Sequence, residues 1–237
     1  MSGLPWARRI AAVASLGDET RRQLFAYVAS AGAPVSRNDA AEALRLPRST
    51  ASFHLDRLVH DGLLAVEFRK LGGREGPGSG RPAKLYKPGV QEVAASVPER
   101  NYDLAAELLV SAIEESTTAG VPARDALVRA AYARGQAAAG GQAARGQGPA
   151  AFAELLAGEG YRPQEDGEGG LVLLNCPFHR IAEGHADVVC AMNGAFLAGA
   201  AVGCGLDPQG VEALAVEELR KAGAAGPGQC CARIRQV

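Results

Sequence analysis

The sequence predicts a mainly α fold with small β-sheets, in which a basic helical head precedes an α+β domain. Three observations predict it. Residues 34–87 read in order as helix, turn, helix, strand, a glycine-rich break and a second strand. Charge divides along the chain. Residues 1–90 carry 14 Lys and Arg against 8 Asp and Glu, net +6, and the remainder carries 11 against 18, net −7. The last third alternates short apolar strands with helical patterns and holds all five cysteines.

The elements follow from local chemistry. Residues 6–16 and 19–30 have helical periodicity, with Asp18 placed to cap the second. Residues 36–44 form a short helix, and after Arg45-Leu46-Pro47 another spans 48–60. In it Ala51, Leu55, Leu58 and Val59 fall at i, i+4, i+7 and i+8, one apolar stripe facing a core. Asp61-Gly62 stops this helix, and residues 63–68 continue as a strand. Gly72 to Pro82 cannot hold a regular element, because glycines favour turns and prolines remove donors. Residues 83–87 form the returning strand. Together these make a winged helix–turn–helix, a device that reads duplex DNA.

The second helix of the pair would enter the major groove. Arg48, Ser49 and Ser52 share a face near its N-terminus, where such helices meet base edges. Arg can bond guanine through two parallel hydrogen bonds, and Ser can serve base edges or phosphate. Thr50, His54 and Arg57 flank this face within reach of the backbone. The hairpin adds Arg74, Arg81 and Lys84, whose phosphate contacts would release counterions.

Composition limits the rest. With 47% hydrophobic and 22% charged residues, the chain is that of a soluble globular protein. Aromatics are scarce, so cores are expected from Leu, Val and Ala. No apolar run approaches the roughly 20 residues of a bilayer span, and the N-terminus lacks a secretory pattern. The expected location is the cytoplasm. There thiols stay reduced, so five cysteines point to metal ligation or redox sensing rather than structural disulfides.

Beyond the hairpin, Pro88-Gly89 marks a boundary. The expected organisation is a DNA-binding domain over 1–90, a helical linker and dimerisation region over 91–149, and an α+β sensor domain over 150–237. Helices are expected at 103–115 and at 123–134, the latter stopped by Gly135. Residues 137–148 are low in complexity and read as a loop or frayed helix end. A helix resumes at 150–157. Residues 161–164 and 171–174 flank a hairpin signal. One long helix or two, broken at Gly184 or Gly194, covers 177–202. A helix at 211–221 and a strand at 231–234 close the chain. A two-fold symmetric operator favours a homodimer, with 6–16 and 103–115 as its leading helices.

Four cysteines form a constellation: Cys176, Cys190, Cys230 and Cys231. Cys176 is expected at a helix N-terminus, where free N–H groups stabilise a thiolate. His179 lies one turn further on, and Cys230 follows a Gly-Pro-Gly turn. Thiolates with imidazole suit Zn²⁺, and thiolates with one other ligand suit an iron–sulfur cluster. The alternative is small buried hydrophobes, which is the expectation for Cys204; His185 is expected on an exposed helix face. No nucleophile with a base and an orienting group, and no phosphate loop, is present, so an enzyme is not expected.

The run Arg48-Ser49-Thr50-Ala51-Ser52-Phe53-His54-Leu55-Asp56-Arg57-Leu58 resembles the recognition helix of ArsR-type winged-helix regulators. Gly80-Arg81-Pro82-Ala83-Lys84-Leu85-Tyr86, followed by Asn175-Cys176-Pro177, Cys190 and Gly228-Gln229-Cys230, is similar more specifically to the SufR-like group. That resemblance covers nearly the whole chain. It implies a transcriptional regulator whose operator binding responds to an iron–sulfur cluster held by Cys176, Cys190 and Cys230 or Cys231, with His179 as a candidate fourth ligand. Zinc is the alternative metal. A winged-helix regulator with a small-molecule pocket in residues 150–237 and inert cysteines is the alternative function. The chain departs from the group in its doubled terminal cysteine and in the histidines beside Cys176.

Overall fold

The computed structural model describes residues 5–69, 82–140, 146–213 and 228–235. The chain divides into two compact units, Met1–Ser96 and Val97–Val237.

In the first unit, α1 (Trp6–Ser15), α2 (Glu19–Ser30), α3 (Arg37–Ala43) and α4 (Arg48–His60) pack with β1 (Val35–Ser36), β2 (Leu64–Arg69) and β3 (Ala83–Pro88). Helix starts are chemically marked. The Asp18 side chain accepts from Arg21 N at 2.9 Å. Ser36 and Asp39 satisfy each other's backbone amides, a reciprocal capping box that opens α3. The stripe of α4 faces inward as its spacing requires: Ala51, Leu55 and Leu58 are fully buried with Leu24, Val28, Ala40 and Tyr86. Each buried Leu contributes about 1.5–3 kcal/mol. Gly62 takes φ +82° to turn α4 into β2, a conformation that suits glycine.

Strands β2 and β3 pair antiparallel over their whole length, from Leu64 opposite Pro88 to Arg69 opposite Ala83. This is the stem of the wing. Strand β1 adds to the other edge of β3. Its two residues are too few for periodicity to reveal. Arg74 and Arg81 lie outside the described residues.

The second unit contains α5 (Tyr102–Ala119), α6 (Ala123–Gly140), α7 (Pro149–Gly158), α8 (His179–Ala182) and α9 (Ala186–Gly203). A sheet of order β4-β5-β7-β6 joins β4 (Pro163–Glu165), β5 (Leu171–Leu173), β6 (Val211–Ala213) and β7 (Ala232–Ile234), each neighbour antiparallel. Helices α5 and α6 share one apolar core with α7, α9 and this sheet, including Leu104, Leu108, Leu127, Phe152, Phe196 and Ile234. The stretch 91–149, expected as a separate linker, thus supplies core to the same unit as 150–237.

Three expectations are corrected. Gly135 does not stop α6, which runs on to Gly140. It serves close packing instead: a Cβ there would lie 2.1 Å from the carbonyl oxygen of Phe196 on α9. A Cβ at Gly199 would in turn lie 2.0 Å from the Tyr132 carbonyl oxygen, and one at Gly203 would lie 2.5 Å from the Ala139 Cβ. Second, residues 211–213 are a strand rather than the start of a helix, because they pair with β7; residues 214–221 lie outside the described ones. Third, α9 is long and apolar enough to cross a membrane by length and composition. Its apolar character on all sides matches its place in the core, where Met192, Phe196, Leu197 and Ala200 are buried. Of the two possible breaks in 177–202, the chain breaks at Gly184, with φ +82°.

The glycine contacts are testable. Gly135→Ala should destabilise the protein by about 1–3 kcal/mol or more, since the opposing atoms, from Phe196 and Ala200, belong to backbone and cannot move aside cheaply. Gly158→Ala, at the end of α7 with open space around it, should change stability by less than about 1 kcal/mol. Urea unfolding of the two variants beside the parent measures both.

Candidate nucleic-acid interface and cysteine site

Helix α4 leaves Arg48, Ser49, Phe53, Asp56, Arg57 and His60 exposed, while Thr50, Ser52 and His54 are partly buried. Arg48 and Ser49 therefore stand free at the N-terminal end, as a reading helix requires. The other expected contacts are placed differently. Arg57 Nε donates to the Asp61 carboxylate at 3.0 Å. Lys84 donates to Asp56 Oδ1, which also accepts from the Tyr86 hydroxyl at 2.8 Å. The Lys84 ammonium lies 5.3 Å from the Tyr86 ring centre. Asp56 thus ties α4 to β3 and holds the wing stem on the helix. Its pull and that of Tyr86 raise the Lys84 pKa, the Asp56 hydrogen bond being the largest cause.

His54 turns inward. Its side chain is 15% exposed, and Nδ1 sits 4.0 Å from Asp18 Oδ1 at the start of α2. That nitrogen is buried without a hydrogen-bond partner. Sequence reasoning missed Phe53, which is 67% exposed on the outward face. The signal was its position four residues after Ser49, on the face already singled out.

The second candidate site is built by the β5–β7 ladder. Leu171 pairs with Ile234 and Val172 with Arg233. The ladder continues past both strands: Cys230 N donates to Leu173 O and Cys176 N to Gly228 O, each at 2.9 Å. Residues 174–176 and 228–231 are thereby held side by side. Asn175, itself buried, fixes the first segment further. Its amide donates to Glu99 O at 2.8 Å and Gly160 O at 2.6 Å, and its oxygen accepts from Arg100. Arg100 also donates to Cys176 O at 2.9 Å.

This brings four thiols into one neighbourhood. Cys176 interacts with Cys230, Cys230 with the adjacent Cys231, and Cys231 with Cys190 on α9. Three are buried and Cys190 is partly exposed. One turn along α9 from Cys190, Asn193 donates to Cys230 Sγ at 3.1 Å and accepts from the Tyr161 hydroxyl. The arrangement is an open chain of pairwise contacts. Among the described residues no three His, Cys, Asp or Glu side chains enclose a single ion-sized point.

The expected members divide. Cys176, Cys190, Cys230 and Cys231 are brought together. His179 stands apart: its Nε2 faces Glu183 at 3.8 Å. His185 is exposed just before α9. Cys204 is buried at the far end of α9, and burial alone raises its pKa.

The expected thiolate at Cys176 is also corrected. The helix after it is a single turn, α8, and the Cys176 pKa is raised, first by the Cys230 thiol and then by burial. At Cys230 the Cys176 contact pulls downward, but Cys231 and burial outweigh it and push the value up to about 12. Cys231, raised chiefly by its Cys190 partner, also reaches about 12. Cys190 moves the other way, lowered by the hydrogen bond from Cys231. Tyr161 is fully buried, and desolvation raises its pKa well above the ordinary phenol value.

Residues 16–67 match the family model of a helix-turn-helix domain. The matched span contains α2, β1, α3 and α4 and enters β2. With the paired wing strands behind it, this supports a winged helix–turn–helix, and a domain of this kind indicates DNA binding. No curated protein and no solved structure matches the chain.

Thiolate is the form that reacts with alkylating agents. At about pH 8, near the ordinary thiol range, reduced metal-free protein should be alkylated first at Cys190. It alone in the group is both partly exposed and shifted downward. Cys230 and Cys231, protonated until much higher pH, should lag. Peptide mass mapping over a time course reads the order; simultaneous modification of all four would contradict this arrangement.

Proposed function

We propose that the protein is a homodimeric, cytoplasmic transcriptional regulator whose operator affinity is set by an iron–sulfur cluster on Cys176, Cys190, Cys230 and Cys231. The observation that carries the DNA-binding part is the helix–turn–helix match with an α4 whose Arg48 and Ser49 are exposed at its leading end. The convergence of four sulfur donors supports the sensing part, since thiolates suit such a cluster.

The donors fit in kind. A bound cluster would supply a centre sensitive to oxidants, nitric oxide and iron–sulfur status. The chain's own residues would do the rest. Asn175 would hold the Cys176 loop to residues 99, 100 and 160. Asn193 would donate to sulfur, and Tyr161 would fix the orientation of its amide. Ligation would replace the thiol–thiol contacts that now space these segments, repacking the unit and shifting the population of DNA-binding dimers. His179 is the alternative fourth ligand only if it leaves Glu183. Zinc is the second reading, favoured by a donor set of four sulfurs, which can close a tetrahedral site.

Protein purified without oxygen should carry iron and acid-labile sulfide and absorb visible light. Cys176→Ser should lose both while the N-terminal unit stays folded. Zinc without colour would select the second reading, and protein free of iron and zinc would end the metal proposal. Light scattering should give twice the 24.4 kDa chain mass.

On DNA, Arg48→Ala should lose about 1–3 kcal/mol on a preferred duplex. Arg81→Ala should weaken all duplexes alike and flatten the dependence on salt. Equal, sequence-independent losses from both would reduce Arg48 to a phosphate contact. Fluorescence anisotropy titrations at several salt concentrations separate the two.

A further inference from the structure

The geometry points to Phe53 as a specificity residue that reads the methyl group of thymine, an inference resting on the DNA-binding reading above. Phe53 is 67% exposed on α4, in the first half of the helix. Its neighbours on the outward face, Ser49 and Asp56, are polar, with Ser52 partly buried beside it. An isolated exposed apolar side chain is ordinary on a protein surface. Phe53 differs in where it stands and in how it is held.

Its ring meets the His54 imidazole edge to face, with centres 5.2 Å apart and planes at 77°. His54 is itself turned inward against the α2 start. The phenyl ring is thus set against a fixed neighbour, which lowers the entropy lost on docking. The nearest acid on this face is also answered: Asp56 is engaged by Lys84 and Tyr86, so it presents little bare negative charge to a phosphate backbone.

The partner's chemistry follows. A major groove displays hydrogen-bonding edges and one apolar feature, the C5-methyl of thymine, for which Phe is a suitable contact. The excess of six positive charges over residues 1–90 draws this face to a polyanion. Arg48 and Ser49, at the end of the same helix, address the polar edges. Phe53 contributes what they lack, discrimination of thymine from cytosine at a position where hydrogen bonding is not used.

The experiment selects binding sites for the full chain from a random-sequence duplex pool. The expected site carries thymine at a defined position. Replacing it by deoxyuridine, which lacks only the methyl, should weaken binding about fivefold, the lower range for one base pair. Phe53→Ala should lose the same factor and become indifferent to the replacement, so the two changes together cost no more than either alone. Phe53→Leu should keep part of the preference, and it carries the test if circular dichroism shows that the alanine variant has lost helix. An alanine variant that still selects the thymine and still loses affinity on deoxyuridine overturns the inference while leaving DNA binding intact. Parent protein that shows no salt-dependent binding to any duplex overturns the DNA-binding reading and this inference with it.

Discussion

Two helix backbones in direct contact organise the C-terminal unit. Where α6 crosses α9, Gly135, Gly199 and Gly203 remove the side chains that would hold the helices apart. An alanine-rich chain with few aromatics cannot fill a wide gap between helices, so it closes the gap instead. The depth of α9 in the core follows, and with it the positions of Cys190 and Asn193 on the face that meets the β5–β7 loops. Bulk anywhere along this seam would lift α9 and separate Cys190 from Cys231.

The N-terminal unit solves a different problem. Its helices are fixed by caps and by a leucine stripe, and its wing by one carboxylate, Asp56, shared between Lys84 and Tyr86. That carboxylate sits on the helix that would read DNA. Register between helix and wing stem is therefore fixed by contacts inside the unit. A salt bridge this exposed adds little stability; the buried Tyr86 ring does more, and the ion pair chiefly fixes direction.

The sequence was most legible where periodicity and punctuation agreed. The span of α4, the Asp18 cap and the β4–β5 hairpin each had both signals, while the break in 177–202 was narrowed only to Gly184 or Gly194. It was least legible where one residue type serves two ends. Gly135 looked like a helix stop because glycine ends helices, yet here it permits contact between them, and only the partner helix reveals that. Val211 followed a helical pattern, but pairing with β7 overrode local preference. That the four cysteines gather was readable from their pattern, but their open, pairwise arrangement was not, because it depends on the pairing of β5 and β7, some 60 residues apart. His179 was attractive by spacing alone; the single turn that carries it turns toward Glu183. Phe53 was hidden in a motif whose polar residues drew the attention.

Strand order has a consequence for how the molecule is made. Among the described residues β7 follows the other strands in the sequence, yet it lies between β5 and β6. Until it emerges from the ribosome, β5 has an open edge and Cys176 lacks both its backbone acceptor at Gly228 and its thiol partner at Cys230. The helix–turn–helix, complete well over a hundred residues earlier, can fold first. Synthesis thus runs from the helix–turn–helix to the sulfur group, and a chain cut short before residue 228 has a finished head attached to an unfinished second unit. An interior strand that comes after its neighbours in the sequence makes assembly of the sulfur group wait until translation has passed β7.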